Sequence, residues 1–367
     1  MKIQDITDFL ETIAPPFLQE DYDNSGLITG NGGWDCTGVM ISLDATEQVV
    51  LDAIAQNCNL IVAHHPIVFS GLKKITGGNY VERTVITAIK HDIAIFAIHT
   101  NLDNIYAGVN GKISQKIGLK NTRILMPKKD ILQKLSVFVP IASKQSLMEA
   151  VFSAGAGDIG NYSECSFSSE GTGSFKAGSG AQPFVGAIGE RHYEKEEKLE
   201  IIFPAWLQNK VISAMKAAHP YEEVAYDLNK LANSYQFTGS GMIGELEEPV
   251  SEAEALKLIG QAFDVSVIRH TAIRGVQIKK IALCGGAGSF LTKMAIAAGA
   301  DMFISSDFKY HEFFDAENKL LLADIGHYES EQFTVELLFD LLREKFPNFA
   351  HLKMGVNTNP VHYYHAS

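Results

Sequence analysis

Four short apolar runs, Leu60–Ala63, Ile93–Ile98, Met302–Ser305 and Leu320–Ala323, each run out into histidine and carboxylate. His64-His65-Pro66 follows the first and His99-Thr100-Asn101-Leu102-Asp103 the second. The third leads into Ser306-Asp307 and then Tyr310-His311-Glu312. The fourth leads into Asp324, His327, Glu329 and Glu331. Apolar runs of this length bounded by turn residues read as buried strands. Val39–Leu43 and Ile278–Leu283 read the same way. Helical patterns alternate with them at Glu47–Gln56, Val81–His91, Phe290–Ala298 and Phe333–Glu344. That rhythm specifies a layered α/β domain with a largely parallel sheet. In open α/β sheets, ligands collect at the carboxyl ends of strands. If the four strands share one sheet, their polar ends converge on one cleft.

The middle of the chain changes rhythm. Leu135–Ile141 (strand), Ser146–Ala154 (helix), a hairpin strand in Cys165–Phe175, Lys198–Pro204 (strand), Ala205–His219 (helix) and Val224–Leu231 (strand) follow in order. This is close to β-α-β-β-α-β, the ferredoxin-like arrangement. Glycine-rich composition between Gly155 and Gly189 reads as loop. The expected fold is a discontinuous α/β domain, residues 1–125 and 240–367, interrupted by a smaller α+β insert at 126–239.

The 367 residues are enough for two domains with substantial cores. A net charge of −12 argues against nonspecific binding to DNA or RNA. No apolar run reaches the ~20 residues that span a bilayer, and the first residues lack a signal-peptide core. Cys36, Cys58, Cys165 and Cys284 form no Cys-x-x-Cys and read as reduced thiols, which points to the cytoplasm.

The His64-His65 pair constrains the chemistry. Neutral imidazole is the commonest side-chain ligand for transition metals. Pro66 holds His65 extended, and neighbours on an extended backbone point to opposite sides. The pair therefore offers one nitrogen to each of two ions rather than gripping one. His327 and Glu331 are four apart, within one helical turn of each other. A carboxylate near a helix N-terminus is favoured by the dipole, and its two oxygens can bridge two ions.

Taken in order, His-His-Pro, His-Thr-Asn-Leu-Asp, Lys309-Tyr310-His311-Glu312 and Gly326-His327-Tyr328-Glu329-Ser330-Glu331 resemble the Nif-three-like family. Tyr22-Asp23-Asn24-Ser25-Gly26-Leu27 resembles its opening motif, and Cys284-Gly285-Gly286-Ala287-Gly288 its Cys-Gly-Gly-x-Gly turn. Bacterial members carry the name GTP cyclohydrolase I type 2 homologue. The resemblance implies a dinuclear site on His64, His65, Asp103, His327 and Glu331. Glu331 would bridge, with His65 and Asp103 on one ion and His64 and His327 on the other. It also implies a ring-shaped (toroidal) homohexamer and relates the insert to the PII and CutA proteins. Ser305-Ser306-Asp307 departs from the family, where Gly-Asp often stands.

These readings imply two divalent ions per subunit, with Zn, Mn, Fe, Co and Ni all suited to histidine and carboxylate. They lead to a metal-dependent hydrolase acting on a small molecule or nucleotide. The alternative is a non-catalytic, metal-dependent sensing or regulatory scaffold. Tyr310, His311 and Glu312 are candidate acids or bases, and His99 reads as orienting Asp103 or a water. The Cys284–Ser289 turn lacks the Walker A ending and the full dinucleotide fingerprint, so it reads as a tight packing turn. His219-Pro220-Tyr221-Glu222-Glu223 reads as a helix stop.

Overall fold

A computed structural model describes residues 1–364. The chain divides into two compact units, residues 1–127 with 237–367, and residues 128–236. Its strands, in chain order, are β1 (Gly26–Thr29), β2 (Val39–Asp44), β3 (Leu60–His65), β4 (Ala94–Ala97), β5 (Lys120–Lys128), β6 (Leu132–Pro140), β7 (Phe167–Lys176) and β8 (Arg191–Pro204). They continue with β9 (Tyr226–Leu231), β10 (Tyr235–Ser251), β11 (Arg269–His270), β12 (Gln277–Ala287), β13 (Met302–Ser306), β14 (Leu321–Asp324) and β15 (His351–Lys353).

The larger unit holds two sheets rather than one. The first has the order β1-β4-β3-β2-β15, and the second β11-β14-β13-β12-β10-β5. The inner pairings are parallel, as the alternating sequence predicts. Antiparallel β1 against β4, β10 against β12 and β11 against β14 make both sheets mixed. The four polar strand ends thus come from two sheets: β3 and β4 from the first, β13 and β14 from the second. The expectation of a single sheet is corrected here. Val62 and Phe96 of the first sheet share one core with Ile281, Ile304 and Ala323 of the second. Strand alternation then sends Ile61 and Ala63 to a second core on the outer face of the first sheet. By the same period His64 follows Val62 toward the shared core, where it is fully buried.

Helix ends are written in the sequence. Thr46 accepts from Val49 N at the start of helix Glu47–Ala55, and Asn79 accepts from Glu82 N at the start of Tyr80–Lys90. Ser251 and Glu254 form a reciprocal capping box for Glu252–Phe263.

The smaller unit is a four-stranded sheet of order β7-β8-β6-β9, antiparallel at every pairing. Helices Lys144–Ser153 and Gln208–Ala218 contribute Leu147, Val151, Val211 and Met215 to a core with Leu135, Val137, Leu199 and Ile201. Among the described residues no helix is long and apolar enough to cross a membrane.

Candidate metal centre

β3 runs through both histidines before Pro66 stops it, so His64 and His65 are strand residues. Beyond β4, the short helix Thr100–Asp103 brings Asp103 to the same place. Beyond β14, Gly326 turns at φ +92 into the helix His327–Glu331. These three strand ends gather His64, His65, His99, Asp103, His327 and Glu331 into overlapping groups that could hold a metal ion.

Glu331 is the hub. It is 3% exposed, and its Oε2 lies 2.9 Å from His65 Nε2 and 3.1 Å from His327 Nε2. Its Oε1 lies 3.8 Å from His64 Nε2, which is in turn 3.6 Å from Asp103 Oδ1. His65 and His327 face each other at 3.3 Å between Nε2 atoms. The resemblance pairs His65 with Asp103 and His64 with His327; the geometry pairs them the other way. The reason is the second ring nitrogen of each histidine. His64 Nδ1 donates to Ile98 O (2.9 Å), which leans it toward β4 and the Asp103 helix. His65 Nδ1 donates to Asp44 Oδ1 (2.8 Å), which leans it toward β2 and away from Asp103. His327 Nδ1 donates to Asp307 Oδ2 (2.6 Å). With Nδ1 committed as donor, Nε2 is left to bind a metal, and a carboxylate partner raises ligand basicity.

Titration follows this wiring. Burial lowers His64 and keeps it neutral. Burial also acts to lower His65, but Asp44 and Glu331 outweigh it and raise the imidazole to about 9. Asp307 and Glu331 likewise outweigh burial and raise His327 to about 11. Burial would raise Glu331, yet hydrogen bonds from His327 and His65, with the His64 ring close by, hold it well below the ordinary carboxylate range. Asp103 goes the other way: burial and the Glu331 charge push it well above the usual value. His64 Nε2 and Asp103 Oδ1 are buried acceptor atoms without a hydrogen-bond partner. Two facing buried atoms of this kind, both able to act as ligands, are a place where a cation would fit. The donor set of imidazole and carboxylate suits a divalent transition metal.

Neighbouring backbone makes room for the hub. A Cβ on Gly286, which sits at φ +62, would meet Glu331 Oε1 at 2.3 Å. The Cys284–Ser289 turn spends its donors inward: Gly285 N on Asn110 Oδ1 and Gly286 N on Ser330 Oγ, both 2.9 Å. It is a packing turn, as its sequence indicates.

Other candidates fall outside the cluster. Tyr310 is 72% exposed, and Tyr310 and His311 stack on each other and on Phe314. Glu312 accepts from Lys309 N, capping its own turn. None of the three joins the groups that could hold a metal. His99 does join, through His64 and His65. Its Nδ1 donates to Asp23 Oδ1 (2.7 Å), its backbone N donates to Asn101 Oδ1, and it meets Asp103 through the backbone, where Asp103 N donates to His99 O (3.2 Å). Sequence reasoning gave no role to Asp23, Asp44 or Asp307. Asp23 stands in the Tyr-Asp-Asn-Ser-Gly-Leu motif and Asp307 beside Lys-Tyr-His-Glu, so both had a motif to find them by. Asp44, at the end of β2, had none.

A family model for Duf34/NIF3 (NGG1p interacting factor 3) matches residues 1–360. A Halalkalibacterium halodurans protein named GTP cyclohydrolase 1 type 2 homolog is 39% identical over 362 residues, 97% of either chain. A Bacillus subtilis protein of the same name is 38% identical over 327 residues, 89% of this chain and 88% of that one. The crystal structure of a Bacillus cereus protein related to NIF3 superposes with a TM-score of 0.88 at 36% identity, covering 99% of both chains. With strand ends, histidine motifs and whole-chain similarity in agreement, the chain belongs to the Duf34/NIF3 family.

Proposed function

We propose that this chain is a metal-dependent hydrolase with a dinuclear centre bridged by Glu331. The observation that carries the reading is that the two oxygens of one buried carboxylate face different partners, Oε2 toward His65 and His327 and Oε1 toward His64. His65, His327 and Glu331 would hold one ion; His64, Asp103 and Glu331 the other. Paired divalent ions supply Lewis acidity and a water that ionises near neutral pH. Around them, Ile98 O, Asp44 and Asp307 fix the imidazoles so that Nε2 points inward. His99, oriented by Asp23 through Nδ1, is the side chain that would act as base toward an attacking water. His327, with a side chain 39% exposed, marks the open side by which substrate enters.

The relatives' name carries GTP to this chain as the first substrate to try, with phosphoesters second. Metal-replete protein is expected to turn over one of them, and Glu331→Ala to lose both metal and turnover. Full turnover by a metal-free Glu331→Ala variant would sink the two-metal reading. A second reading, a metal-dependent regulatory scaffold, draws on a cavity in the smaller unit. Tight ligand binding without turnover would favour it.

The same reading extends to the rest of the chain. Residues 128–236 are taken as a ferredoxin-like insert, supported by the β-α-β-β-α-β order and the sheet order β7-β8-β6-β9. Exposed Tyr310 and Phe314 support self-association, for which the family resemblance suggests a toroidal homohexamer. Light scattering should then give the mass of six 40.2 kDa chains. Four free cysteines support a reducing, cytoplasmic setting.

A further inference from the structure

The sheet of the smaller unit carries its two helices on one face. Val137 and Val139 of β6 and Leu199 and Ile201 of β8 point there. Strand alternation therefore puts Phe138, Glu196 and Lys198 on the other face. On that face lies a cavity of about 710 Å³, walled by Phe138, Phe175, Phe184 and Tyr221. The segment containing Pro183 and Phe184 covers it, tied down by Gln182 N donating to Glu222 Oε1 (2.8 Å). Tyr221 packs against both Phe175 and Phe184, with ring centroids 6.1 and 6.3 Å away, so the rings form one wall.

Glu196 is set into this wall and is only 8% exposed. Its Oε1 accepts from Tyr221 Oη at 2.9 Å, and among the described residues no donor reaches Oε2. The lysine two residues along the same face of the strand, Lys198, is turned to Glu200 Oε1 at 3.1 Å. Glycine makes the space: a Cβ on Gly173 would meet Glu196 Oε2 at 2.2 Å. A carboxylate with so little exposed surface, and with no cation beside it among the described residues, favours a cationic ligand. The phenylalanine rings of the cavity supply none of the further oxygens that a calcium or magnesium ion would need around Glu196. Aromatic faces beside a carboxylate do suit an organic cation. The remaining charge agrees, since Glu170, Glu222 and Glu223 line the cavity with Glu196 against Lys176 and Lys198, which disfavours an anionic ligand.

We propose that this cavity binds an organic ammonium ion carrying an apolar or aromatic body, with the cation on Glu196 and Tyr221 and the body against the phenylalanines. The site is separate from the metal centre, and its test needs no turnover. The full chain is titrated with benzyltrimethylammonium by calorimetry, and with benzyl alcohol as the uncharged control. One site per chain is expected, with benzyl alcohol binding at least about tenfold more weakly. Glu196→Gln and Gly173→Ala should each weaken the cation about tenfold or more, and Glu331→Ala should leave it unchanged. If Glu196→Gln fails to fold, Gly173→Ala, which only crowds the carboxylate, carries the test. Equal binding of alcohol and cation, unchanged affinity in a folded variant, or tighter binding of adenosine monophosphate than of the cation would overturn the proposal.

Discussion

Glu331 in the larger unit and Glu196 in the smaller are both carboxylates taken out of water, 3% and 8% exposed. Three imidazoles surround the first, each braced from behind by a carbonyl or carboxylate. A phenol and two phenylalanine rings stand around the second. The first draws on the raised imidazoles of His65 and His327, whereas the second has no cation against it among the described residues. Imidazole supplies lone pairs as well as protons, so the Glu331 site could hold a metal ion. Aromatic faces supply only a diffuse negative potential, so the Glu196 site is suited to a large, weakly hydrated cation. The lesson is that burial makes a carboxylate demanding, and its neighbours decide what meets the demand.

The comparison breaks first at the braces. If the metal centre depends on how its imidazoles are held, Asp307→Asn and Asp44→Asn should each weaken metal binding about 10–100-fold. Competition against a chelator reads this directly; affinities equal to the parent would show that the braces are incidental. A smaller effect is expected from Gly286→Ala, which puts a methyl 2.3 Å from Glu331 Oε1 and an L side chain at φ +62. Destabilisation of about 1–3 kcal/mol in urea unfolding is expected, together with weaker metal binding. A stable variant that binds metal normally would mean that Glu331 has more room than the structure gives it.

The smallest effect belongs to a third carboxylate, one left in water. Hydrogen bonds from Lys112 and Lys116 hold Glu336 down to about 2, but its side chain is 36% exposed. A depressed carboxylate contributes stability that is present above its unfolded value of about 4.5 and lost as pH falls toward 2. Solvent screening keeps that contribution below about 1 kcal/mol. Glu336→Gln should lower the melting temperature slightly at pH 7, and by progressively less as pH falls through 2. A larger shift would mean that surface and buried carboxylates differ less than argued.

Much of the larger unit was legible because its central strands are buried on both faces and read as unbroken apolar runs. β10 was not legible. Its 17 residues include Gly239, Gly241 and Gly244, a composition that reads as a loop between domains. Those glycines instead allow close backbone approach, with a Cβ at Gly239 meeting Met126 O at 2.1 Å. The residues of the metal cluster were visible as histidine and acid at strand ends. Their grouping was not, because Ile98 O and Asp44 decide which way each imidazole leans, and a carbonyl has no signature in sequence. The division into two sheets was hidden for a related reason. Strand-helix alternation specifies parallel neighbours but not where a sheet stops.

The wiring of Glu331 also sets an order of events in the cell. Its hydrogen bond to His65 joins residues 266 apart in the chain, and Thr358, which donates to the Asp44 brace, is 314 residues beyond it. A nascent chain emerging from the ribosome therefore carries His64, His65, His99 and Asp103 long before their partners exist. Those early imidazoles can hold at most a loose, exchangeable ion during synthesis. Any metal that this cluster holds would be secured only once the second half of the larger unit is made, by the finished chain.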